Sequence, residues 1–196
     1  GRTKWKEVIE TEFYYDKIIF MGDYFDAWDD FAPIHQLHNF LEIMNFKREN
    51  PDRVITLFGN HDYHYMEGVK DFYSGYQAAA RFDFQNALRE NRDLIQACYK
   101  CDNYLFTHAG VTYVWWKNLI GWFDDRGIDI LGMDVDEVIN LAAQLILIFL
   151  NSGKFLFAYL SKNSIKVSLL KSLVSLRLKY FIKLFDISLK VFFDKD

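Results

Sequence analysis

Three apolar runs in this chain each stop at a short polar motif, and that arrangement narrows the fold more than any bulk property does. Lys17-Ile18-Ile19-Phe20-Met21 leads into Gly22-Asp23-Tyr24-Phe25-Asp26, and Arg53-Val54-Ile55-Thr56-Leu57-Phe58 into Gly59-Asn60-His61-Asp62. The third run, Asn103-Tyr104-Leu105-Phe106, leads into Thr107-His108-Ala109-Gly110. Short β-branched and aromatic stretches cut off by glycine or a turn cluster read as core strands of an α/β protein. In such sheets functional groups collect just beyond the carboxyl ends of the strands. Three strands are therefore expected to deliver Asp, Asn and two His to one edge of one sheet. Carboxylate and amide oxygens mixed with imidazole suit a divalent metal.

The sequence between the motifs alternates in the way a layered α/β domain requires. Lys4 to Phe13 reads as a short helix. Pro33 opens an apolar-periodic stretch, Ile34, Leu37, Phe40, Leu41 and Met44, predicted as a helix ending near Asn50-Pro51. Met66 to Gly75 is expected to be loop or a helical turn, and Gln77 to Leu94 is Ala-rich and helix-forming. Val135 to Leu150 reads as a further helix. Its longest apolar run, Leu141 to Leu150, is broken by Gln144 and is too short for a membrane span, so a buried or amphipathic helix is expected.

Composition limits the partners. With 51% hydrophobic and 26% charged residues in 196, the chain has enough apolar content for one folded domain with a core. A net charge of −4 gives no electrostatic reason to expect nucleic-acid binding. Cys98 and Cys101 form a single Cys-x-x-Cys pair, half of a zinc site or a redox pair, with no second pair to complete a zinc site. Two structural thiols in a reducing cytoplasm are the expectation, and with them a cytoplasmic location. Residues 154–196 carry a net charge of +6, against −10 for the preceding 153. The expected organisation is one domain over residues 1–153 and a basic apolar tail over 154–196, helical or atypical, with Leu169, Leu173, Leu176 and Tyr180 in partial register. A basic interaction arm, a membrane-surface helix and a segment foreign to the natural C-terminus all fit that tail.

Gly-Asp-x-x-Asp, then Gly-Asn-His-Asp, then His-Ala-Gly after a strand, resembles the calcineurin-like metallophosphoesterases over roughly residues 1 to 125. The order of all three motifs carries the resemblance; one alone would not. It implies a two-sheet α/β sandwich flanked by helices, a two-metal centre at the strand ends (Mn, Fe, Zn or similar), and hydrolysis of phosphomonoesters or phosphodiesters. By resemblance, Asp23 would bridge the metals, while Asn60 and His108 would be ligands of the second. His61 would protonate the leaving oxygen, and Asp26 would keep it charged and oriented. The chemistry is coherent with those residue types. Paired cations acidify a bound water and clamp the phosphoryl group, and an imidazole can be poised near neutrality as an acid. His64, close behind the second motif, is a further candidate. His35 and His38 share a helix face without a carboxylate partner and read as surface or packing residues, whereas Tyr24, Phe25, Trp28 and Tyr63 are expected to pack around the centre or line its cleft.

The departures from the family pattern set a second expectation. Members begin with Asp-x-His-Gly, and here Gly1 matches the last residue of that motif; no His follows His108 to supply the family's Gly-His-x-His element. Three ligands alone imply weak binding of at most one metal and an impaired hydrolase. A non-catalytic binding or scaffold protein derived from the same ancestor is the rival. Ala27 stands where the protein-phosphatase branch carries Arg, so a serine/threonine protein phosphatase is not expected.

Overall fold

The computed structural model describes residues 4–150, apart from residues 12–13, 29–30, 68 and 70–71. The basic tail, and the expectations for it, lie outside the described residues. The chain divides into two compact units, one through His108 and one from Ala109 onward.

In the first unit the predicted strands form in two sheets, as the resemblance implied, but the three motif-bearing strands divide between them where the apolar runs alone suggested one sheet. β1 (Ile18–Phe20), β2 (Val54–Leu57) and β3 (Ile95–Gln96) pair in parallel in the order β1-β2-β3, with Ile18 opposite Val54 and Thr56 opposite Ile95. β4 (Cys98–Cys101) and β5 (Tyr104–Thr107) form a separate antiparallel pair, with Cys98 opposite Thr107. The reason is connection length. Only Asp102 and Asn103 separate β4 from β5, and a two-residue link can close a hairpin but cannot make the crossover that parallel strands need. The His108 motif therefore arrives from a different sheet than the Asp23 and Asn60 motifs do.

β2 is buried along its whole length, which explains its unbroken apolar reading. Its one polar side chain, Thr56, donates its hydroxyl to the Leu94 carbonyl at 2.6 Å. Cys98 and Cys101 lie within β4, the strand just ahead of the one that leads to His108. Three residues apart on a strand, they face opposite sides of the sheet. Neither is in a disulfide; Cys98 is buried and Cys101 half-buried, and they cannot share one metal in this arrangement.

The helices follow the sequence closely where caps and prolines mark them. α1 (Trp5–Thr11) opens the described chain; α2 (Pro33–Glu49) starts on Pro33 and stops at Asn50. α3 (Asn60–Tyr63) is a single turn built on the second motif. α4 (Arg81–Asn91) is flanked by 3-10 turns at Ala78–Ala80 and Arg92–Leu94, filling the predicted helical stretch. The described part of Met66–Gly75 is turn and irregular chain.

The buried face of α2 departs from the apolar pattern. It consists of Gln36, Asn39, Phe40, Ile43 and Met44, while Ile34 is exposed. Two polar residues replace apolar ones because the helix packs against polar features. Asn39 accepts the Trp5 indole N–H at 2.9 Å. Gln36 accepts the Ala27 N–H at 3.2 Å and donates to the Phe31 carbonyl at 2.6 Å. Beside them, Phe25 stacks on Phe84 of α4 with centroids 4.1 Å apart and meets Phe40 of α2 at 5.1 Å. The two middle residues of Gly-Asp-x-x-Asp are thus core anchors.

The second unit contains α5 (Tyr113–Asp124) and α6 (Val135–Leu150). The Thr112 hydroxyl caps α5 by accepting the Trp115 N–H at 3.2 Å. Trp115, Leu119 and Phe123 are buried at a spacing of four, one helix face. Ahead of α6, the Glu137 carboxylate accepts the Asp134 N–H at 2.7 Å, one half of a capping box. Among the described residues, no helix is long and apolar enough to cross a membrane.

Candidate functional site

The chain leaves β1 through a left-handed stretch. Gly22 has φ +95°, and both aspartates of the motif, Asp23 and Asp26, are left-handed at +57° and +59°. Asp tolerates this conformation better than most residues, yet each such position costs about 1 kcal/mol or more unless its surroundings fix it. Two devices fix it here. Tyr24 and Phe25 are buried in the core. The fully buried Asp62 carboxylate accepts the N–H groups of Asp23 (2.9 Å), Tyr24 (2.7 Å) and Gly59 (2.8 Å), stitching the first motif to the second. Burial pushes the Asp62 carboxyl up to about 7, against the pull of those three donors. The backbones approach so closely that a Cβ on Gly22 would sit 2.4 Å from the Gly59 nitrogen, and one on Gly59 2.1 Å from Asp23 Oδ1. Glycine is required at both points by contact, and at Gly22 by its positive φ as well.

That seam brings Asp23, Asn60 and His108 together. His108 Nε2 lies 3.3 Å from Asp23 Oδ2 and 3.1 Å from Asn60 Oδ1. Its other ring nitrogen, Nδ1, is 2.7 Å from the Met21 carbonyl oxygen, which can only accept, so Nδ1 carries the hydrogen. In the neutral ring Nε2 is then a lone pair facing two further acceptors. Three acceptors turned on one point need a proton or a cation between them. Ligands about 2.1 Å from an octahedral ion are about 3.0 Å apart along an edge, close to the spacing here. The donor set therefore fits a divalent metal, and a carbonyl holding the far nitrogen of a ligating histidine is the usual outer support. Without an ion, a proton takes the place. Burial works against a charged His108, but its contacts with Asp23 outweigh this and raise its pKa. Burial likewise pushes Asp23 up, and His108 and His61 more than reverse it.

Asp26 is surrounded in the opposite sense. Its side chain is fully buried, and His61 Nδ1 lies 3.0 Å from Oδ2. Tyr65 donates its hydroxyl to Oδ1 at 2.5 Å, and Gln77 Nε2 donates to the same atom at 3.3 Å. His64 Nε2 is 2.6 Å from Oδ2. Burial would raise Asp26, but His61, His64 and Tyr65 together hold it below the ordinary carboxylate range. The hydrogen bond to Asp26 in turn raises His61, against desolvation. Asp26, His61 and His64 place three potential ligand atoms within 4.8 Å of one another. His64 Nδ1, however, already accepts the Tyr73 N–H at 3.0 Å, so its Nε2 bears a hydrogen and is no ligand in the neutral ring. This group is a hydrogen-bonded cluster, distinct from the lone-pair cluster at His108.

All five residues singled out from the sequence lie in this one region, joined by the His61 N–H donated to Asp23 Oδ1 at 3.1 Å. Sequence reading passed over Asp62, Tyr65, Gln36 and Gln77. The signal for Asp62 was its place in Gly-Asn-His-Asp, where its carboxylate reaches back to Gly59. Trp28 is 91% exposed, so it does not pack into the core around the centre. Tyr24 and Phe25 are buried as expected, and His35 and His38 are exposed.

No curated protein and no solved structure gives a significant match to this chain. The calcineurin-like phosphoesterase pattern matches residues 3–146, a span that includes every residue of both clusters. The lone-pair cluster, the Asp26–His61 contact and a match over well more than half of the chain agree, and the chain belongs to the calcineurin-like phosphoesterase family, whose members are generally metal-dependent hydrolases of phosphate esters.

Proposed function

We propose that this chain hydrolyses phosphate esters at a divalent-metal centre whose ligands include Asp23, Asn60 and His108. His61 is the acid that protonates the leaving oxygen, and Asp26 orients it. The observation that carries the reading is the set of three acceptors converging on one point, with the Met21 carbonyl fixing which nitrogen of His108 is free. A divalent ion bound there supplies charge neutralisation for the phosphoryl oxygens and acidifies water. A second ion, as the resemblance implies, requires ligands beyond these three.

The chain's own residues supply the rest. Asp26 occupies His61 Nδ1, which leaves Nε2 as the ring atom available to a leaving oxygen. The same contact favours the protonated ring, the form a general acid must start from. Because the His61 backbone donates to Asp23, the acid and the metal-side carboxylate are held in one frame. The leaving group, and with it the choice between monoester and diester, is set by surfaces outside these motifs.

Hydrolysis of an aryl phosphate with added Mn²⁺ tests the proposal, alongside Mn²⁺ binding by calorimetry. Metal-dependent turnover should vanish in Asp23→Asn and in His61→Ala, with Mn²⁺ binding lost only in the first. Binding without turnover of any phosphate ester favours the rival reading, a scaffold that kept the site. Absence of Mn²⁺ binding refutes the metal centre.

A further inference from the structure

We propose that His64 is a positioning residue for the His61 acid, sharing the Asp26 carboxylate with it and fixing the direction in which that carboxylate meets His61. It deepens the functional reading above, on which His61's role rests.

The observations are geometric. Asp26 Oδ2 receives two imidazoles, His61 Nδ1 at 3.0 Å and His64 Nε2 at 2.6 Å. The second contact is short but bent out of hydrogen-bond geometry, and the buried His64 Nε2 finds no other partner. His61 Nδ1 makes the hydrogen bond to Oδ2, and His64 Nε2 holds the bent position beside it. His64 is locked there from behind: its Nδ1 accepts the Tyr73 N–H, and its ring meets Tyr65 edge-on at 4.4 Å and Tyr76 at 5.1 Å. The residue is 1% exposed. With Tyr65 and Gln77 on Oδ1, both oxygens of this carboxylate are met by side chains from the surrounding fold. A buried polar side chain with one ring nitrogen spent on backbone and the other aimed at the acid's own partner is more than a packing residue requires.

Two amides separate the functions of the two nitrogens. Asn can reproduce Nδ1 and keep the Tyr73 bond, whereas Gln reaches the position of Nε2 and can donate to Asp26. In ¹⁵N-histidine-labelled protein, the His61 Nδ1–H resonance should exchange with water at least ~10-fold faster in His64→Asn and near the wild-type rate in His64→Gln. A role confined to holding Tyr73 predicts the reverse order and would overturn the inference. Wild-type protein gives an independent check that no folding defect can obscure. The His64 nitrogen shifts should report hydrogen on Nε2 and none on Nδ1, and the opposite tautomer also overturns it. These readouts need no turnover. If His61 responds as stated while no phosphate ester is hydrolysed, the functional reading fails and the positioning role stands.

Discussion

Asp23 and Asp26 belong to one motif, share a left-handed backbone and are both held below the ordinary carboxylate pKa, yet they face surroundings of opposite polarity. Asp26 is sealed from solvent and met only by donors: two imidazoles, a phenol and an amide. Asp23 keeps 36% of its side chain exposed and turns Oδ2 toward a histidine lone pair beside an amide oxygen. The first carboxylate is satisfied by the protein, so its work is orientation. The second turns an oxygen lone pair toward the same point as two other acceptors. Only Tyr24 and Phe25 separate the two carboxylates, and the difference lies in what the fold aims at each.

Truncation should expose this contrast most strongly. Asp26→Ala takes the acceptor from the buried Tyr65 hydroxyl and from His61 and should destabilise the fold by about 3 kcal/mol, whereas Asp23→Ala, partly open to water, should cost below ~1 kcal/mol. Urea unfolding of both metal-free variants reads the difference, and equal losses would break the comparison. Next in size is the seam between the two motifs. Gly22→Ala must force a Cβ into the Gly59 backbone at positive φ, and a loss of about 2 kcal/mol is expected. A neutral result would mean that the close approach is not needed.

Acid should act on Asp26 more gently. Its folded pKa lies below the unfolded value of about 3.9, so its contribution is present above that value and is lost as pH falls through the folded one. Metal-free wild-type protein should therefore lose stability on acidification below about pH 4. Asp26→Asn, less stable throughout, should show a shallower acid limb in urea midpoints taken across that range.

Much of the site was legible because each strand announces its end. Gly22, Gly59 and the turn after Phe106 mark where apolar runs stop, and Pro33 and Asn50-Pro51 bound α2. Which strands share a sheet was not legible from those runs alone. The decisive clue was the two-residue link Asp102-Asn103, and the cysteine pair drew attention away from the strand that carries it. α5 was missed although Trp115, Leu119 and Phe123 recur at helical spacing behind the Thr112 cap, since nothing in the motif set pointed there. His64 and Tyr65 were hard to place for a different reason. They serve by reaching back to Asp26 across 38 and 39 positions, and burial of Gln36 for the same network blurred the apolar period of α2.

The central claim is that Asp23 takes the metal and Asp26 does not. Calorimetric titration of Mn²⁺ into Asp23→Asn and Asp26→Asn, each checked for folding, puts it to the test most directly. Affinity should fall by more than ~100-fold in Asp23→Asn, beyond the loss typical of removing an outer support, and by ~10-fold or less in Asp26→Asn. Comparable affinity in Asp23→Asn and wild type, or a larger loss in Asp26→Asn, would contradict it.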